Sequence, residues 1–469
     1  MAQTQPRKRT EIRWPEKDTV YTINPDGSRN FLHPADVKGR WQIRKNVFWT
    51  ILIGVYLLLP LITIKGAPAV HIDIPGRAAT LFGFTFTNQD FYLTFFVVSA
   101  IGFSLFVATS LYGRVWCGFA CPQTVFLEGV FRRIERWIEG SRAKRIRRNM
   151  GPWNFDKAWR KILKHAAFLG LSALIAHAFV AYFIPAKELG MAVFQSPSNH
   201  WAAFLWTLFW TGMLYFNYSW FREQTCLIIC PYGRLQSALI DQDTKVIGYD
   251  DSRGEPRSKV NDDGGDCIDC HRCVQVCPTG VDIRNGLQME CVGCFNCIDA
   301  CDDIMDKLGR PRGLIRYDSG RAFATGVRRK LLRPRFYLYV VLAILGLVVA
   351  TTMMSRRTDF EAKVLRARGM PYQIEGEELR NLWTLRVQNK TRAEKTFFVS
   401  VAGDKGAPED TRFVVAQEKL RAGPMSQAET PVFSYVTRDT YEEPFPIAFT
   451  VVDSASGTTK VVNFKFLGP

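Results

Sequence analysis

Residues 267–278 read CIDCHRCVQVCP, and residues 291–302 read CVGCFNCIDACD. Each stretch has four cysteines at the spacing C-x-x-C-x-x-C-x-x-x-C, and together they hold eight of the twelve cysteines in the chain. A thiolate at every third residue of a tight turn can hold three corners of a [4Fe–4S] cube, while the fourth cysteine reaches the neighbouring cube. The doubled run therefore predicts two [4Fe–4S] clusters in a bacterial-type, ferredoxin-like domain.

This crossed pattern also predicts which cysteines bind which cluster. The first cluster should use Cys267, Cys270, Cys273 and Cys301, and the second should use Cys291, Cys294, Cys297 and Cys277. The first run ends in Cys-Pro, as bacterial ferredoxin runs do, whereas an aspartate follows the last cysteine of the second run. Structural zinc is the alternative. Because zinc sites usually take two separated pairs of ligands, the doubled run favours iron.

Five apolar blocks lie outside the cysteine-rich segment and approach the ~20 residues that a helix needs to cross a bilayer. They predict membrane helices at about 46–65, 91–112, 163–184, 200–220 and 336–354. One such block could be a buried core helix, but five blocks with almost no internal charge and with flanking Trp and Tyr predict an integral membrane protein. The first block follows a long polar arm, so it is not a cleavable signal peptide.

The chain is therefore expected to be multi-domain. Its tail contains alternating stretches at 383–389, 396–401 and 448–452, which predict strands of an immunoglobulin-like β-sandwich without a disulfide. The predicted segments are an N-terminal arm (1–45), a membrane domain with helices 1–4 (46–240), an inserted dicluster ferredoxin-like domain (241–335), a fifth helix (336–354) and the sandwich (355–469).

Basic residues predict how the protein is oriented. The arm before helix 1 carries ten Lys and Arg, whereas the loop between helices 1 and 2 has only Lys65 and Arg77, and the loop between helices 3 and 4 has only Lys187. By the positive-inside rule, the arm and the ferredoxin-like domain are cytoplasmic and the tail is periplasmic, across a bacterial inner membrane. The net charge of +17 suits an anionic bilayer as partner. No nucleic-acid partner is expected, since no known reading module occurs.

The other four cysteines form two similar motifs, WCGFACP at 116–122 and CLIICP at 226–231. A spacing of four puts both sulfurs on one face of a helical turn, and the proline disfavours helix at the residue before it. If helices 2 and 4 pack together, four thiols meet near the membrane surface. There they could bind a soft ion such as Cu(I) or carry electrons as dithiols. The alternative is that they are small buried residues near helix ends. The four are Cys117, Cys121, Cys226 and Cys230.

Histidines offer a competing cofactor site. His165 and His177 lie twelve residues apart, close to one face of helix 3, as a haem or quinone ligand pair would require. A single haem needs ligands on both sides from different helices, so a haem is not expected. His71 and His200 fall near the outer interface and could form a weak metal site.

The segment from Cys297 to Asp302 continues as MDK at 305–307 and PRGLIRY at 311–317. Together with the two C-x-x-x-C-P motifs, five spans and an immunoglobulin-like tail, this segment resembles the CcoG/FixG/RdxA family of cytochrome oxidase accessory proteins. In that family the missing proline after the second run is a usual trait. The resemblance implies a cupric reductase that supplies Cu(I) for the copper centre of cbb3-type cytochrome oxidase. The four motif cysteines are then the catalytic and copper-binding candidates.

The partners implied by this resemblance are copper ions, a cytosolic electron donor, a copper transporter or chaperone, and subunits of the cbb3-type oxidase. The sequence leaves a homo-oligomer open. Two other functions also stay open. One is an electron conduit between the quinone pool and a membrane redox complex, as in NapH and NosR type proteins, although no C-x-x-C-H haem motif occurs here. The other is a copper chaperone that leaves the oxidation state of copper unchanged.

Overall fold

The computed structural model describes residues 31–64, 66–87, 90–259, 264–367, 369–403 and 406–469. It divides into two units. The first contains the described residues up to Gly76, Thr80–Gly83 and Thr94–Ala350, and the second contains Arg77–Ala79, Phe84–Leu93 and Thr351–Pro469. The long apolar helices and the cysteine-rich segment therefore belong largely to one unit, and the C-terminal strands belong to the other.

Helices predominate in the chain before the C-terminal strands. Three single π-helical turns interrupt them, at Leu127–Phe131, Asn217–Phe221 and Thr225–Ile229. In chain order the α-helices are α1 (Arg40–Leu58), α2 (Phe91–Tyr112), α3 (Val115–Phe119), α4 (Pro122–Phe126), α5 (Arg132–Glu139), α6 (Arg142–Met150), α7 (Phe155–Val180), α8 (Ala186–Val193), α9 (Trp201–Phe216), α10 (Pro231–Leu239), α11 (Asp251–Gly254), α12 (Arg272–Gln275), α13 (Asn296–Lys307), α14 (Gly320–Thr325) and α15 (Pro334–Ser355).

Four helices in the described part of the chain are long and apolar enough to cross a bilayer, at Arg40–Leu61, Tyr92–Tyr112, Phe155–Val180 and Pro334–Ser355. The block predicted as a span at 200–220 differs. Its α-helix, α9, has 16 residues and continues as the π-helical turn at Asn217–Phe221. Polar contacts explain the interruption, because the Asn217 side chain donates to Gln123 Oε1 at 2.7 Å and the Asn217 carbonyl accepts from Arg222 N. The protein is a membrane protein, and the count of five spans stays a prediction.

Two of the long helices begin earlier than their hydropathy predicts. The N-cap of α1 is Gly39, which has no side chain to cap the helix. Instead the Asp299 carboxylate, on α13, accepts from Trp41 N at 3.2 Å and Gln42 N at 2.8 Å. Helix α7 begins at Phe155 because the Asn154 side chain accepts from the backbone N of Lys157 at 2.8 Å. Caps of this kind supply partners for N–H groups at a helix start and can extend a helix beyond its apolar block.

The cysteine-rich segment folds around a small core. Strands β6 (Lys245–Tyr249) and β7 (Ile315–Ser319) pair antiparallel with Ile247 opposite Tyr317, and they bracket α12 and α13 in sequence. Phe295, Ile298 and Met305 are buried among them. Five short strands precede these in the chain, namely β1 (Thr63–Ile64), β2 (Ala67–Pro68), β3 (Val70–Asp73), β4 (Ala78–Leu81) and β5 (Phe84–Thr87).

The C-terminal unit is a β-sandwich. Its strands are β8 (Phe360–Arg366), β9 (Gln373–Glu375), β10 (Glu378–Asn389), β11 (Lys395–Gly403), β12 (Arg412–Val415), β13 (Lys419–Ala422), β14 (Gln427–Thr437), β15 (Pro446–Asp453) and β16 (Thr459–Lys465). One sheet has the order β12-β14-β10-β8, with β9 also paired to β10, and the other has the order β13-β11-β15-β16. Trp383 is completely buried between them, with its ring 5.6 Å from that of Phe449 in an edge-on contact. The three predicted strands fall within β10, β11 and β15.

Candidate functional site: cysteine cavities and an adjoining thiol pair

The eight cysteines of the doubled run line two neighbouring cavities. The walls of the first contain the four cysteines whose spacing assigns them to one cluster, which are Cys267, Cys270, Cys273 and Cys301. Those of the second contain Cys277, Cys291, Cys294 and Cys297, and Cys273 also touches it. Four thiols around a largely apolar cavity are the donor set that a [4Fe–4S] cluster needs, so the residues fit that group. The crossed ligand assignment stays a prediction.

Backbone conformation brings these sulfurs inward. Asp269, His271, Gly293 and Phe295 have positive φ, so the chain turns sharply between successive cysteines. The two cysteines that follow, Cys297 and Cys301, lie four residues apart on α13 and therefore share a face. The first half of each run thus supplies ligands from a tight loop, and the end of the second run supplies them from a helix.

Burial favours the neutral form of several thiols in these cavities. Burial raises the pKa of Cys294 and Cys301 to about 12, and it raises the pKa of Cys291 to about 11. Nearby Cys273 and Cys267 raise the pKa of Cys301 further. A bound metal ion deprotonates such thiols outright, so we expect iron binding to release protons here.

The two C-x-x-x-C-P motifs adopt similar backbone conformations at their second cysteine. The prediction that both cysteines of a motif lie on one helical turn is wrong. Cys117 lies in α3 and Cys226 in a π-helical turn, but the second cysteine of each motif is not on the same helical turn as the first. Cys121 and Cys230 have extended backbones and are the N-caps of α4 and α10, whose first residues are the prolines. The reason is the steric restriction that proline imposes on the residue before it.

The two motifs nevertheless influence each other across the fold. The Cys117 thiol donates to Gln236 Oε1 of α10 at 3.3 Å, which joins the first motif to the helix of the second. Burial raises the pKa of Cys226 above its ordinary value, and Cys121, Cys117 and Cys230 raise it further. Among the described residues, no three His, Cys, Asp or Glu side chains form a group that could hold a single metal ion. Copper ligation by these thiols stays a prediction.

Three of the histidines considered as alternative ligands have local hydrogen-bond partners. His165 Nδ1 lies 2.9 Å from the Tyr215 hydroxyl, and His177 Nδ1 lies 2.8 Å from the carbonyl oxygen of Ala173 in its own helix. His200 Nε2 lies 3.0 Å from Gln195 Oε1. The described residues contain no metal-type group of three ligands at these histidines or at His71.

The first thiol motif packs directly on the loop of the second cavity, which sequence reasoning did not predict. A Cβ placed on Gly118 would lie 2.1 Å from the Gly293 carbonyl oxygen and 3.3 Å from Cα of Cys294. A Cβ on Gly293 would in turn lie 2.7 Å from the Arg114 carbonyl oxygen. Only glycines fit at this contact, and they let the residue next to Cys117 meet the backbone that carries Cys294.

Arg114 connects α3, α10 and the loop of the second cavity. Its guanidinium donates to the carbonyl oxygens of Met289 and Cys291 in the cluster loop and to that of Gly233 in α10. The residue itself lies immediately before α3, which carries Cys117. One side chain therefore ties the two thiol motifs to the second cysteine cavity. In the sequence, the only sign of this connection was that Arg114 lies two residues before Trp116 of the first motif.

A buried ion network on α5 positions the segment before the second motif. Arg222 donates to Glu135 at 2.9 Å, and Glu223 accepts from Arg132 at 3.0 Å. Burial raises the pKa of Glu135, but Arg222 and Lys164 outweigh it and hold that pKa well below its ordinary value. Because α5 follows the first motif and Arg222 precedes the second, these ion pairs fix the two motifs against each other.

Known proteins resemble this chain over most of its length. Family models match at residues 221–320 (4Fe-4S dicluster domain), 93–144 (4Fe-4S binding domain) and 350–469 (IG-like fold at the C-terminus of FixG). Protein RdxA of Cereibacter sphaeroides is 37% identical over 397 residues, covering 81% of this chain and 83% of that protein. Nitrogen fixation protein FixG of Rhizobium meliloti is 32% identical over 489 residues, covering 92% of each chain. The chain is thus an iron–sulfur redox protein, and it belongs to the CcoG/FixG/RdxA family.

Proposed function

We propose that this protein is a membrane-bound cupric reductase that converts Cu(II) to Cu(I) and supports assembly of the copper centre of a cbb3-type cytochrome oxidase. Electrons enter at the cysteine-rich domain from a cytosolic donor and leave through Cys117, Cys121, Cys226 and Cys230. The observation that carries the proposal is the backbone contact between Gly118 and the Gly293–Cys294 loop.

That contact supports a short path for single electrons. The clusters supply one-electron transfer, and the second is proposed to be held by Cys277, Cys291, Cys294 and Cys297. Cys294 belongs to the loop against which Gly118 packs, and Cys117 precedes Gly118 in the chain. Arg114 donates to both sides of this contact and so limits their relative movement. An electron leaving the second cavity therefore meets the first thiol motif before any other group proposed to bind copper.

The chemistry of the thiols favours the reduction of Cu(II) to Cu(I). Soft thiolates bind Cu(I) in preference to harder ligands, so a thiol site favours the reduced ion once an electron arrives. The overall step consumes one electron from a reduced cluster and turns one Cu(II) into Cu(I), with no other bond broken. Burial raises the pKa of Cys121, and the nearby backbone N–H groups of Gln123 and Thr124 at the start of α4 act in the opposite direction. Their influence favours the thiolate that copper needs.

The test is a variant with serine at all four motif positions. A hydroxyl is a hard, poor ligand for Cu(I), so Cu(II) reduction should be abolished while the iron content and cluster EPR signal persist. The matched control replaces His165 and His177 with Ala, which removes the competing cofactor pair and should leave copper reduction unchanged. If the four-serine variant reduces Cu(II) at the wild-type rate, the motif thiols are structural and the clusters themselves reduce copper.

A second candidate follows from the match of a 4Fe-4S binding model to residues 93–144, which include Cys117 and Cys121. In this alternative the four motif thiols hold a third cluster and the protein is an electron conduit. Iron analysis separates the two proposals. Two clusters require about eight irons per chain, and three require about twelve. The four-serine variant should lose about four irons under the second proposal and none under the first.

The cellular setting is part of the same proposal. Charge asymmetry supports a cytoplasmic ferredoxin-like domain and a periplasmic C-terminal sandwich in a bacterial inner membrane. A copper transporter or chaperone would deliver or receive the ion, and oxidase subunits would be its final acceptor. A pure chaperone would bind copper without changing its oxidation state. Anaerobic assay with a Cu(I)-specific chelator distinguishes that outcome, because a chaperone would yield no Cu(I) from Cu(II).

A further inference from the structure

Lys45 on α1 is a fully buried cation, with only 1% of its surface exposed. Its ammonium donates to Asn296 Oδ1 and lies 5.3 Å from the centre of the Trp49 ring. Within the described residues it forms no ion pair with a carboxylate. A buried ammonium normally needs an anionic partner, because neither an amide nor an aromatic ring replaces the hydration that the charge has lost.

The nearest carboxylates already have partners. Glu128 pairs with Arg132 one helical turn later. Asp299 accepts from the backbone N–H groups of Trp41 and Gln42 at the start of α1. Three other basic side chains, those of Arg132, Arg136 and Arg145, line the same cavity, and each of them is paired with a carboxylate.

The remaining candidates for an anionic partner are cysteine sulfurs. Cys294 lines the same cavity as Lys45. Asn296, which accepts from Lys45, lies between Cys294 and Cys297 in the chain. The ammonium is therefore fixed beside the segment that carries these two cysteines of the second cavity.

We propose that Lys45 is a positioning residue that sets the reduction potential of the second cluster. Its fixed positive charge stabilises the extra negative charge that the cluster gains on reduction, so the charge raises the reduction potential of that cluster. The inference rests on the proposed ligation of that cluster by Cys294 and Cys297.

The test is an EPR-monitored redox titration of the purified full-length protein and of Lys45→Met, which keeps an unbranched side chain and removes the charge. At a fixed solution potential, the reduced-to-oxidised ratio of one cluster should fall about tenfold, which is 59 mV for one electron, while that of the other cluster stays unchanged. Lys45→Arg keeps the charge and should keep the wild-type midpoint. Lys307→Met is the matched control, because Lys307 lies on α13 but is exposed and paired with Asp303, so water screens it.

A second variant covers the case in which Lys45→Met does not retain its second cluster. Asn296→Asp places a carboxylate against the ammonium and cancels its charge without removing it, so the same single midpoint should fall. Unchanged midpoints in these variants, or an equal fall for Lys45→Arg, would overturn the role of Lys45. A wild-type protein with fewer than two clusters would instead contradict the proposed ligation, so the two failures are distinguishable.

Discussion

Replacing Gly118 with alanine tests the proposed electron path at its narrowest point. The added methyl carbon would lie 2.1 Å from the Gly293 carbonyl oxygen, and ordinary van der Waals contact begins at 3.4 Å. The shortfall, 3.4 less 2.1, is about 1.3 Å. The obstructing atom belongs to the backbone, so no side-chain rotation relieves the clash. The α3 segment and the cluster loop must therefore move apart.

The size of the effect follows from that displacement. Overpacking of a buried contact typically costs about 1–3 kcal/mol, which should leave the protein folded but less stable. A misplacement of about 1 Å between reacting groups can slow a reaction by up to about 100-fold. We therefore expect electron delivery from the clusters to copper to slow by about ten- to 100-fold, with both clusters still present.

The assay separates cluster reduction from electron delivery. The protein is reduced with dithionite, freed of excess reductant, and mixed anaerobically with Cu(II) and a Cu(I)-specific chelator. Cluster bleaching reports loading, and the appearance of the Cu(I) complex reports delivery. Gly102→Ala is the matched control. It lies inside α2, a Cβ there meets nothing within 4 Å, and alanine favours helix over glycine by about 1 kcal/mol.

A wild-type delivery rate in a Gly118→Ala protein with full iron content would refute this route. The contact between α3 and the cluster loop would then be structural packing only. Slowing in both Gly118→Ala and Gly102→Ala would point to a general loss of stability, which thermal unfolding of the two variants would detect.

Three further predictions concern the clusters, the topology and the sandwich. Cys301→Ala should damage the cluster proposed to use Cys267, Cys270 and Cys273, as judged by EPR and iron content, and loss confined to the other cluster would contradict the crossed assignment. Alkaline phosphatase fused after residue 400 should be active and fused near residue 260 inactive, and the reverse pattern would contradict the proposed orientation. Trp383→Ala should cost about 3–5 kcal/mol in the free energy of unfolding, because the indole is completely buried, and a denaturant melt showing less than 1 kcal/mol would mean that the sandwich core repacks around the gap.

Spacing predicted the chemistry of the cysteine-rich segment because a cluster places strict demands on local sequence. Four thiols must reach one small volume from a short stretch of chain, so Cys267 to Cys277 and Cys291 to Cys301 reveal their role without any tertiary information. The strands at 383–389 and 448–452 were predictable for a similar reason, since alternation reports burial of one face. In both cases the residues that form the sequence pattern are also the residues that form the local structure.

Long-range contacts had no such signal. The first helix begins at Arg40 because Asp299, more than 250 residues later, caps it, and hydropathy cannot report a cap supplied by another element. The helix α9 ends at Phe216 because Asn217 bonds with Gln123 near the other thiol motif. The close approach of Gly118 to Gly293 likewise depends on two glycines far apart in the chain.

Helix α1 bears on how electrons can leave the cysteine-rich segment. Its first turn is capped by Asp299, which lies between Cys297 and Cys301, and the Trp41 ring stacks on that of Phe295 with centroids 4.4 Å apart. Phe119, from the first thiol motif, meets the same Phe295 ring edge-on at 5.5 Å. The start of a membrane helix, a cluster-binding helix and a thiol motif therefore share one aromatic contact. Because these three elements pack against one another, the proposed electron delivery needs no docking of a mobile domain. The rate of that delivery should then depend on the few contacts that hold α3 against the cluster loop. Among these, the contact at Gly118 leaves the least room for a side chain.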